Sequence, residues 1–266
     1  MRAVPPFHLL VAALSLVAMI AGCATRPPAS DTVAVQEYQA ANDPLEPTNR
    51  FLYKVNNYLD AYVLRPAAVA YKDVLPDGVR NAIHNGLNNL ATPVKLGNDM
   101  LEGEPRLAGN SFMRFVINTT AGGLGLFDPA TGWGYPDHDN DYGLVFAIWG
   151  VPEGPFLFLP LLGPSNPRDA AGRAVQIYGD PIGRFGQGAV VTGLDWGRWG
   201  LTVIDARSQV LGQLSSIKRT ALDPYATFRS LYRQHREAQI NDIRNFHEHT
   251  IPAWYPQPPA TSATPE

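Results

Sequence analysis

The sequence predicts an all-α protein, and two observations support this fold class. Apolar residues recur at helical intervals over residues 48–64, after Gly78 and after Pro105, which is the spacing of helices that bury one face. We find no convincing set of segments that alternate between apolar and polar residues, as strands would. We therefore expect amphipathic helices rather than a sheet.

The first element is an export signal. The chain opens with a basic residue, Arg2, and residues 7–21 are almost entirely apolar. This run is shorter than the ~20 residues that span a bilayer, but it is typical of a secretory signal. We predict that residues 1–22 form a signal peptide.

The signal ends at the only cysteine of the chain, Cys23, after the small residues Ala21 and Gly22. This junction resembles a bacterial lipoprotein cleavage box, which predicts covalent lipid on Cys23 and no other cofactor. Several acyl chains anchor a protein firmly, since each buried methylene contributes about 0.8 kcal/mol. Ala24 after the cysteine indicates the outer membrane under the enteric sorting rule. The alternative is an ordinary signal that ends near a buried cysteine.

Composition excludes several classes. One cysteine excludes a disulfide framework and a CxxC site. A net charge of −3 argues against a nucleic-acid partner, because nucleic-acid binders carry basic stripes. We predict a lipidated tether over residues 23–41, one continuous domain over 42–249 and a disordered Pro-rich tail over 250–266.

The clearest helix is predicted over residues 48–64. Pro47 suits its first turn, and Arg65-Pro66 should end or kink it. Positions 100° apart place one contiguous apolar face on this helix: Phe51, Leu52, Val55, Tyr58, Leu59, Tyr62 and Val63. Asn56 and Asp60 fall on the opposite, polar face.

Further helices follow along the chain. One begins after Gly78 with an apolar face formed by Val79, Ile83, Leu87 and Leu90. Another begins after Pro105 and is expected to bury Ala108, Phe112, Phe115, Val116 and Thr119. The remaining helices fit residues 187–217 and 224–241. Such faces normally form a soluble core, but beside a lipid anchor they can also lie in the membrane interface.

Two apolar runs, residues 144–149 and 155–162, flank a break from Gly150 to Gly154. Prolines and glycines in the break would leave backbone groups unpaired in lipid, so a continuous span is disfavoured. We expect a re-entrant or interfacial hairpin, with two buried segments joined by a turn as the alternative. Gly150 and Gly154 are candidate hinge residues, and a proline at either position should then impair function without unfolding the protein.

Motifs for catalysis and metal binding are weak. Ser165 lacks the spacing of a nucleophile elbow, and the glycine-rich stretch from Gly122 to Phe127 is better explained as a tight bend. Asp137, Asp139 and Asp141 alternate as in a calcium loop without its Gly and Glu, so either weak calcium binding or a solvated acidic loop fits. His247 and His249 give a weak metal signal. We predict no catalytic residues and no enzyme.

The helix predicted over residues 224–241 carries aromatic residues beside three arginines, Arg229, Arg233 and Arg236. Residues 218–244 hold six basic and three acidic residues in an otherwise negative chain. Such a face is a candidate contact for phospholipid headgroups or a partner. A solvated basic face is the alternative.

Several short motifs occur in one order along residues 40–240. They are Asn42-Asp43-Pro44-Leu45-Glu46, Asn49-Arg50-Phe51, Asn88-Asn89-Leu90, Asn118-Thr119-Thr120, Asp141-Tyr142-Gly143, Trp149-Gly150-Val151, Gly163-Pro164-Ser165 and Asp223-Pro224-Tyr225. With the lipidation signal, this combination resembles the VacJ-type (MlaA) outer-membrane lipoprotein family.

The resemblance implies a ring-like helical domain at the membrane interface with a central polar channel. It implies removal of mislocalised phospholipids from the outer leaflet beside a trimeric porin, and their transfer to a soluble periplasmic carrier. A polar passage fits the residues, because a headgroup crossing hydrocarbon is costly to desolvate. A membrane-attached phospholipid hydrolase and a passive porin-associated scaffold remain alternatives.

Overall fold

A computed structural model describes residues 27, 28, 30–179 and 189–244. The described chain is predominantly helical with one two-stranded sheet, which confirms the all-α class. Cys23, His247, His249 and the predicted tail lie outside the described residues. Within the described ranges, no helix is both long enough and apolar enough to cross a membrane.

The elements of the described residues are given in chain order. The helices are α1 (Thr32–Ala41), α2 (Glu46–Leu59), a π-helical segment (Asp60–Leu64), α3 (Arg65–Val74), α4 (Asp77–Leu101), α5 (Pro105–Thr120), α6 (Pro129–Gly132), α7 (Tyr142–Ile148), α8 (Pro167–Gly179), α9 (Ala189–Gln209), α10 (Leu211–Thr220) and α11 (Pro224–Arg244). The antiparallel strands are β1 (Leu157–Leu159) and β2 (Gly163–Ser165).

The described residues form two compact units, and one domain over residues 42–249 stays a prediction. The first unit contains the described residues of Met1–Pro76 and Tyr142–Ala238, and the second contains those of Asp77–Asp141 and Gln239–Glu266. Each unit has a core of its own. The first packs Leu52, Phe156, Phe158 and Tyr225 together, and the second packs Ile117, Ala130 and Tyr135.

Pro66 neither ends the first predicted helix nor leaves it regular. The chain passes from α2 into the π-helical segment and then into α3, and the Arg65 amide donates to the Asp60 carbonyl five residues back. Proline lacks an amide hydrogen and crowds the carbonyl four residues earlier. The wider π turn ahead of Pro66 accommodates that conflict, and the helix continues to Val74.

The apolar face predicted for residues 48–64 is mostly outside the core. Leu52 is buried, but Tyr58 and Tyr62 are 66% and 77% exposed. Asn49 and Asp60 are instead buried. The predicted orientation of this helix is therefore wrong: Phe51, Tyr58 and Tyr62 of the predicted apolar face are exposed, whereas Asn49 and Asp60 face the protein.

The second unit shows the same inversion. In α4 the predicted apolar residues Val79 and Leu90 are nearly half exposed, while Asn98 and Asp99 are completely buried. In α5 the expected burial of Ala108 is confirmed. Phe112, however, is 52% exposed, and the other positions expected to be buried, Phe115, Val116 and Thr119, are not fully buried. Polar side chains therefore form much of the packed interior of both units.

The glycine-rich stretch after α5 is a tight turn, as predicted. Gly123 and Leu124 have positive φ angles of 61° each. A Cβ atom on Gly122 would lie 2.4 Å from the Phe127 carbonyl oxygen and 2.5 Å from that of Asn118. Only glycine fits this close backbone approach.

The two central apolar runs do not form the arms of one hairpin. The first is α7, in which Leu144, Val145 and Ala147 are buried. The second contains β1, which pairs with β2 directly after it, and neither strand was predicted. The alternative of two buried segments is closer to the structure, although in the second run Phe156 and Phe158 are buried while Leu161 and Leu162 are exposed.

Candidate functional site

Two asparagines of α2 hold the β1–β2 hairpin. The Asn49 amide nitrogen donates to the Phe156 carbonyl at 3.0 Å, and its oxygen accepts from the Phe158 amide at 2.9 Å. Asn56 repeats this pattern with the Leu159 carbonyl and the Leu161 amide, both at 2.8 Å. The two side chains therefore bind backbone groups within β1 and on either side of it.

Geometry explains this match. Residues seven apart on an α-helix lie on one face, about 10.5 Å apart along the axis. Three residues of extended chain span about 10 Å. Asn49 and Asn56 thus meet backbone groups that are three residues apart on the hairpin. The periodicity of the sequence places Asn56 on the polar face, which we expected to point away from the core. The seven-residue spacing of Asn49 and Asn56 is the sequence signal that could have indicated the opposite orientation.

The candidate hinge glycines lie between α7 and β1. Gly150 and Gly154 have φ angles of 87° and 70°. The Asn42 side chain donates to the Gly154 carbonyl at 2.7 Å, and the Phe156 amide donates to the Asn42 carbonyl at 2.7 Å. The hinge stays a prediction, but proline is the wrong test for it, since proline requires φ near −65° and would strain both positions.

The first candidate headgroup residue of α11, Arg229, is paired inside the first unit. Its guanidinium lies 2.8 Å from Asp43, whose side chain is fully buried. The Tyr225 hydroxyl donates to the same carboxylate, and the Asn49 amide donates to its other oxygen at 2.7 Å. Burial and this hydrogen bond to Asp43 raise the pKa of Tyr225, so its hydroxyl stays protonated.

The other two arginines are paired in the same way. Arg233 lies 2.9 Å from Glu153 and also donates to the Ala40 carbonyl. Arg236 lies 2.8 Å from Asp169 and is itself buried. Burial would raise the pKa of Asp169, but hydrogen bonding and charge from Arg236 outweigh burial and lower it.

These ion pairs argue against the alternative that the three arginines form a solvated basic face. All three arginines join α11 to other segments through carboxylates, and Arg229 and Arg236 are mostly buried. Contact of Arg229, Arg233 or Arg236 with headgroups or a partner stays a prediction. Their positions give each of them a structural role. Arg229 compensates the buried carboxylate of Asp43, Arg236 shares the buried Asp169 with Arg168, and Arg233 pairs with the partly exposed Glu153.

A second cluster, called here the Asp60 cluster, joins the π-helical segment to α9 and α10. Arg207 binds Asp60 through two hydrogen bonds of 2.6 and 3.1 Å, and Lys218 donates to the same carboxylate at 3.0 Å. Burial would raise the pKa of Asp60, but its hydrogen bonds with the two cations lower it. The carboxylate is therefore ionised at neutral pH.

The second unit contains a different acidic cluster. Asp99 accepts hydrogen bonds from Ser111 at 2.6 Å and Asn140 at 2.6 Å, and lies 2.9 Å from the His138 ring. Glu102 accepts from Asn140 at 2.9 Å. Burial, with the charges of Asp99 and other nearby acids, raises the pKa of Glu102 to about 8. This carboxyl group therefore holds a proton at neutral pH.

The alternating aspartates do not form a calcium loop. Asp137 lies 2.9 Å from Lys95 and 3.6 Å from Arg114, so its carboxylate is already compensated. Across residues 30–179 and 189–244, no group of three or more His, Cys, Asp or Glu side chains has an arrangement that could hold a metal ion. The alternative of a solvated acidic loop does not describe Asp137 either, because its contacts with Lys95 and Arg114 attach the loop to α4 and α5.

The chain was compared with known proteins. The family model described as "MlaA lipoprotein" matches residues 41–239. The chain is 35% identical to the intermembrane phospholipid transport system lipoprotein MlaA of Haemophilus influenzae, covering 88% of this chain and 90% of that protein. It is 33% identical to the Escherichia coli K12 protein of the same name, covering 88% and 89%.

A solved structure agrees with the sequence matches. It comes from work on the structural basis for maintenance of bacterial outer membrane lipid asymmetry, and it matches with a TM-score of 0.63 and 31% identity. The match covers 75% of this chain and 99% of that one. Family model, relatives and fold agree over the same helical region, and the chain belongs to the MlaA lipoprotein family.

Proposed function

We propose that this protein is the outer-membrane lipoprotein of an intermembrane phospholipid transport system and helps to keep that membrane's lipids asymmetric. The names of its relatives in Haemophilus influenzae and Escherichia coli support this role. In the finer proposal, phospholipids leave the outer leaflet through a polar central channel beside a trimeric porin. A soluble periplasmic carrier then receives them.

The observation that carries the proposal is the inverted α2 helix with its π-helical extension. Aromatic side chains, including Tyr58 and Tyr62, are exposed, whereas Asn49, Asn56 and Asp60 are turned inward. A water-soluble domain normally has the reverse arrangement. Exposed aromatic residues suit a lipid interface, and inward polar groups suit a passage for a charged headgroup.

The anchor is part of this proposal. Covalent lipid on Cys23 would hold the domain at the periplasmic face of the outer membrane. We expect Cys23→Ser to abolish incorporation of labelled palmitate, since the acylated sulfur is lost. Ser15→Ala is the matched control within the signal and should label normally. Continued labelling of the Cys23→Ser protein would contradict the assignment.

Transport without bond cleavage is the finer part of the proposal, and it fits a chain in which we identify no nucleophile–base pair. The test is deletion of the gene followed by complementation. Intact cells are treated with a membrane-impermeant amine reagent, and labelled phosphatidylethanolamine is measured. We expect deletion to raise surface labelling several-fold and the wild-type gene to restore it.

Both alternatives give different results in these assays. A passive scaffold predicts unchanged surface phospholipid after deletion. A hydrolase predicts that the purified protein releases fatty acid or lysophospholipid from vesicles of phosphatidylethanolamine and phosphatidylglycerol. Either result would overturn the transport proposal.

A further inference from the structure

The surplus cation of the Asp60 cluster is none of the predicted headgroup contacts. Arg229 pairs with Asp43 and Arg233 with Glu153, and Arg236 shares Asp169 with Arg168, where both arginine side chains are buried. Lys218 instead shares Asp60 with Arg207, which already binds both oxygens of that carboxylate. Two cations on one carboxylate leave the Asp60 cluster with a net charge of +1.

The cluster also has unused hydrogen-bond donors. The Arg207 Nη1 atom is buried and has no hydrogen-bond partner among the described residues. The ammonium group of Lys218 has three N–H donors, and among the described residues it makes one hydrogen bond, to Asp60. A buried guanidinium nitrogen without an acceptor is unfavourable. Both the charge and the donors therefore suit an anion with oxygen acceptors.

Access separates the two cations. The Arg207 side chain is 9% exposed and that of Asp60 12%, whereas the Lys218 side chain is 32% exposed. Lys218 can turn toward a ligand while Arg207 keeps Asp60 neutralised. The lysine is therefore not needed to compensate the buried carboxylate.

The surroundings favour a lipid as the source of the anion. Tyr58 and Tyr62, which flank Asp60 in sequence, are exposed and stack with ring centroids 6.5 Å apart. Asp60 is two residues from each tyrosine, so it lies on nearly the opposite side of the helix from the aromatic pair. A helix with its side chains is about 10–12 Å thick, which is the distance across it. An exposed aromatic pair of this kind suits the membrane interface, which is the level where lipid phosphates lie.

We propose that Lys218, with Arg207 behind it, binds the phosphodiester group of a phospholipid. This inference rests on the proposed transport function and adds one specific headgroup contact to it. An ammonium–phosphate contact is charge-assisted and reads the charge common to all phospholipids rather than one headgroup.

The test is a binding titration with the full-length lipoprotein in nonionic detergent, using short-chain dihexanoyl phosphatidylglycerol and calorimetry. Lys218→Met should weaken binding about tenfold, the usual effect of losing one hydrogen bond to a charged group. Lys218→Arg should bind nearly as well as the wild type. Arg219→Met is the matched control, because Arg219 is the exposed neighbour and donates only to the Ser215 carbonyl in the described contacts.

The outcomes separate this inference from the proposed function. If the wild type binds and Lys218→Met binds equally well, the inference is wrong and the transport proposal stands. If the wild type neither binds the lipid nor carries phospholipid on purification, the transport proposal itself fails. Competition by inorganic phosphate as strong as by the lipid would overturn the lipid assignment.

A purely structural role is tested in the same samples. Lys218→Met should leave the thermal unfolding midpoint close to that of the wild type, because Arg207 still pairs with Asp60. A fall in the midpoint as large as that of Arg207→Met would assign Lys218 to stability and overturn the inference.

Discussion

The two units of the molecule bury carboxyl groups by different means. In the first unit, Asp60 and Asp169 are paired with arginines, and hydrogen bonds from these cations lower both pKa values despite burial. In the second unit, Glu102 is buried against an amide and other acids, and its pKa is raised to about 8. Cation pairing keeps an acid ionised, whereas burial without a cation keeps it protonated.

This difference predicts where each unit is vulnerable. The first unit depends on arginines that cannot lose their charge at any physiological pH. The second unit depends in part on a proton, so its stability responds to pH. Not every acid of the second unit behaves like Glu102, since Arg114 binds Asp128 at 3.0 Å and helps to lower the pKa of that group.

The largest expected effect is the loss of an arginine from the first unit. Arg207→Met leaves Asp60 largely buried with Lys218 as its remaining cation. Breaking a buried ion pair by removing one partner costs about 3–5 kcal/mol, and Lys218 as the remaining cation places Arg207→Met at the lower end of this range. Urea unfolding in detergent measures the change, with Arg219→Met as the exposed control. A loss below about 1 kcal/mol would mean that the pair does little for the first unit.

The next effect is a pH dependence confined to the second unit. The pKa of Glu102 is raised from 4.5 to about 8, so the folded state binds a proton that the unfolded state releases between these values. The stabilisation is complete below about pH 4.5 and falls as pH rises through 8, by at most about 1.4 kcal/mol per pH unit.

Glu102→Gln is the variant that tests this dependence. Glutamine keeps the shape and cannot ionise, so the decline in stability between pH 5 and 8 should flatten. Urea unfolding at several pH values measures it. Glu237→Gln, which alters an exposed acid of α11, is the control and should retain the wild-type slope. An unchanged slope in Glu102→Gln would show that the carboxyl is already ionised at neutral pH.

The smallest expected effect concerns neutral groups. Asn56→Ala removes two hydrogen bonds to the hairpin and leaves Asn49 to hold its other end. The loss should be about 1–2 kcal/mol, at the usual value for neutral hydrogen bonds. Amide exchange at Leu161 should speed up before exchange at Phe158, which donates to Asn49. Equal exchange at both amides would mean that the hairpin opens as one piece.

Particular residues show how far the sequence could be taken. The predictions of export, of lipidation at Cys23 and of the family rest on local motifs, and the family match over residues 41–239 confirms the last of them. Helix positions were also largely predictable from apolar spacing, as α5 and α11 show. The short strands were not, because three-residue strands have too little alternation to be recognised.

The orientation of the helices was decided by the tertiary structure alone. Periodicity identifies two faces of a helix but not which one meets the protein, and we assumed that the apolar face does. In α2 the side chains of Asn49 and Asn56 bind the hairpin, whereas that of Tyr58 is exposed. In a protein at a membrane interface, apolar side chains need not be buried in the protein, because they can face lipid instead of a core.

Charge partners were likewise outside the reach of the sequence. Arg229 and Arg236 look like a free basic face in the chain, yet their carboxylates, Asp43 and Asp169, lie 186 and 67 residues away. Local motifs and apolar spacing predicted export, located the main helices and identified the family, because those depend on neighbours along the chain. The pairing of cations with acids depends on which distant segments meet, and only folding brings those segments together.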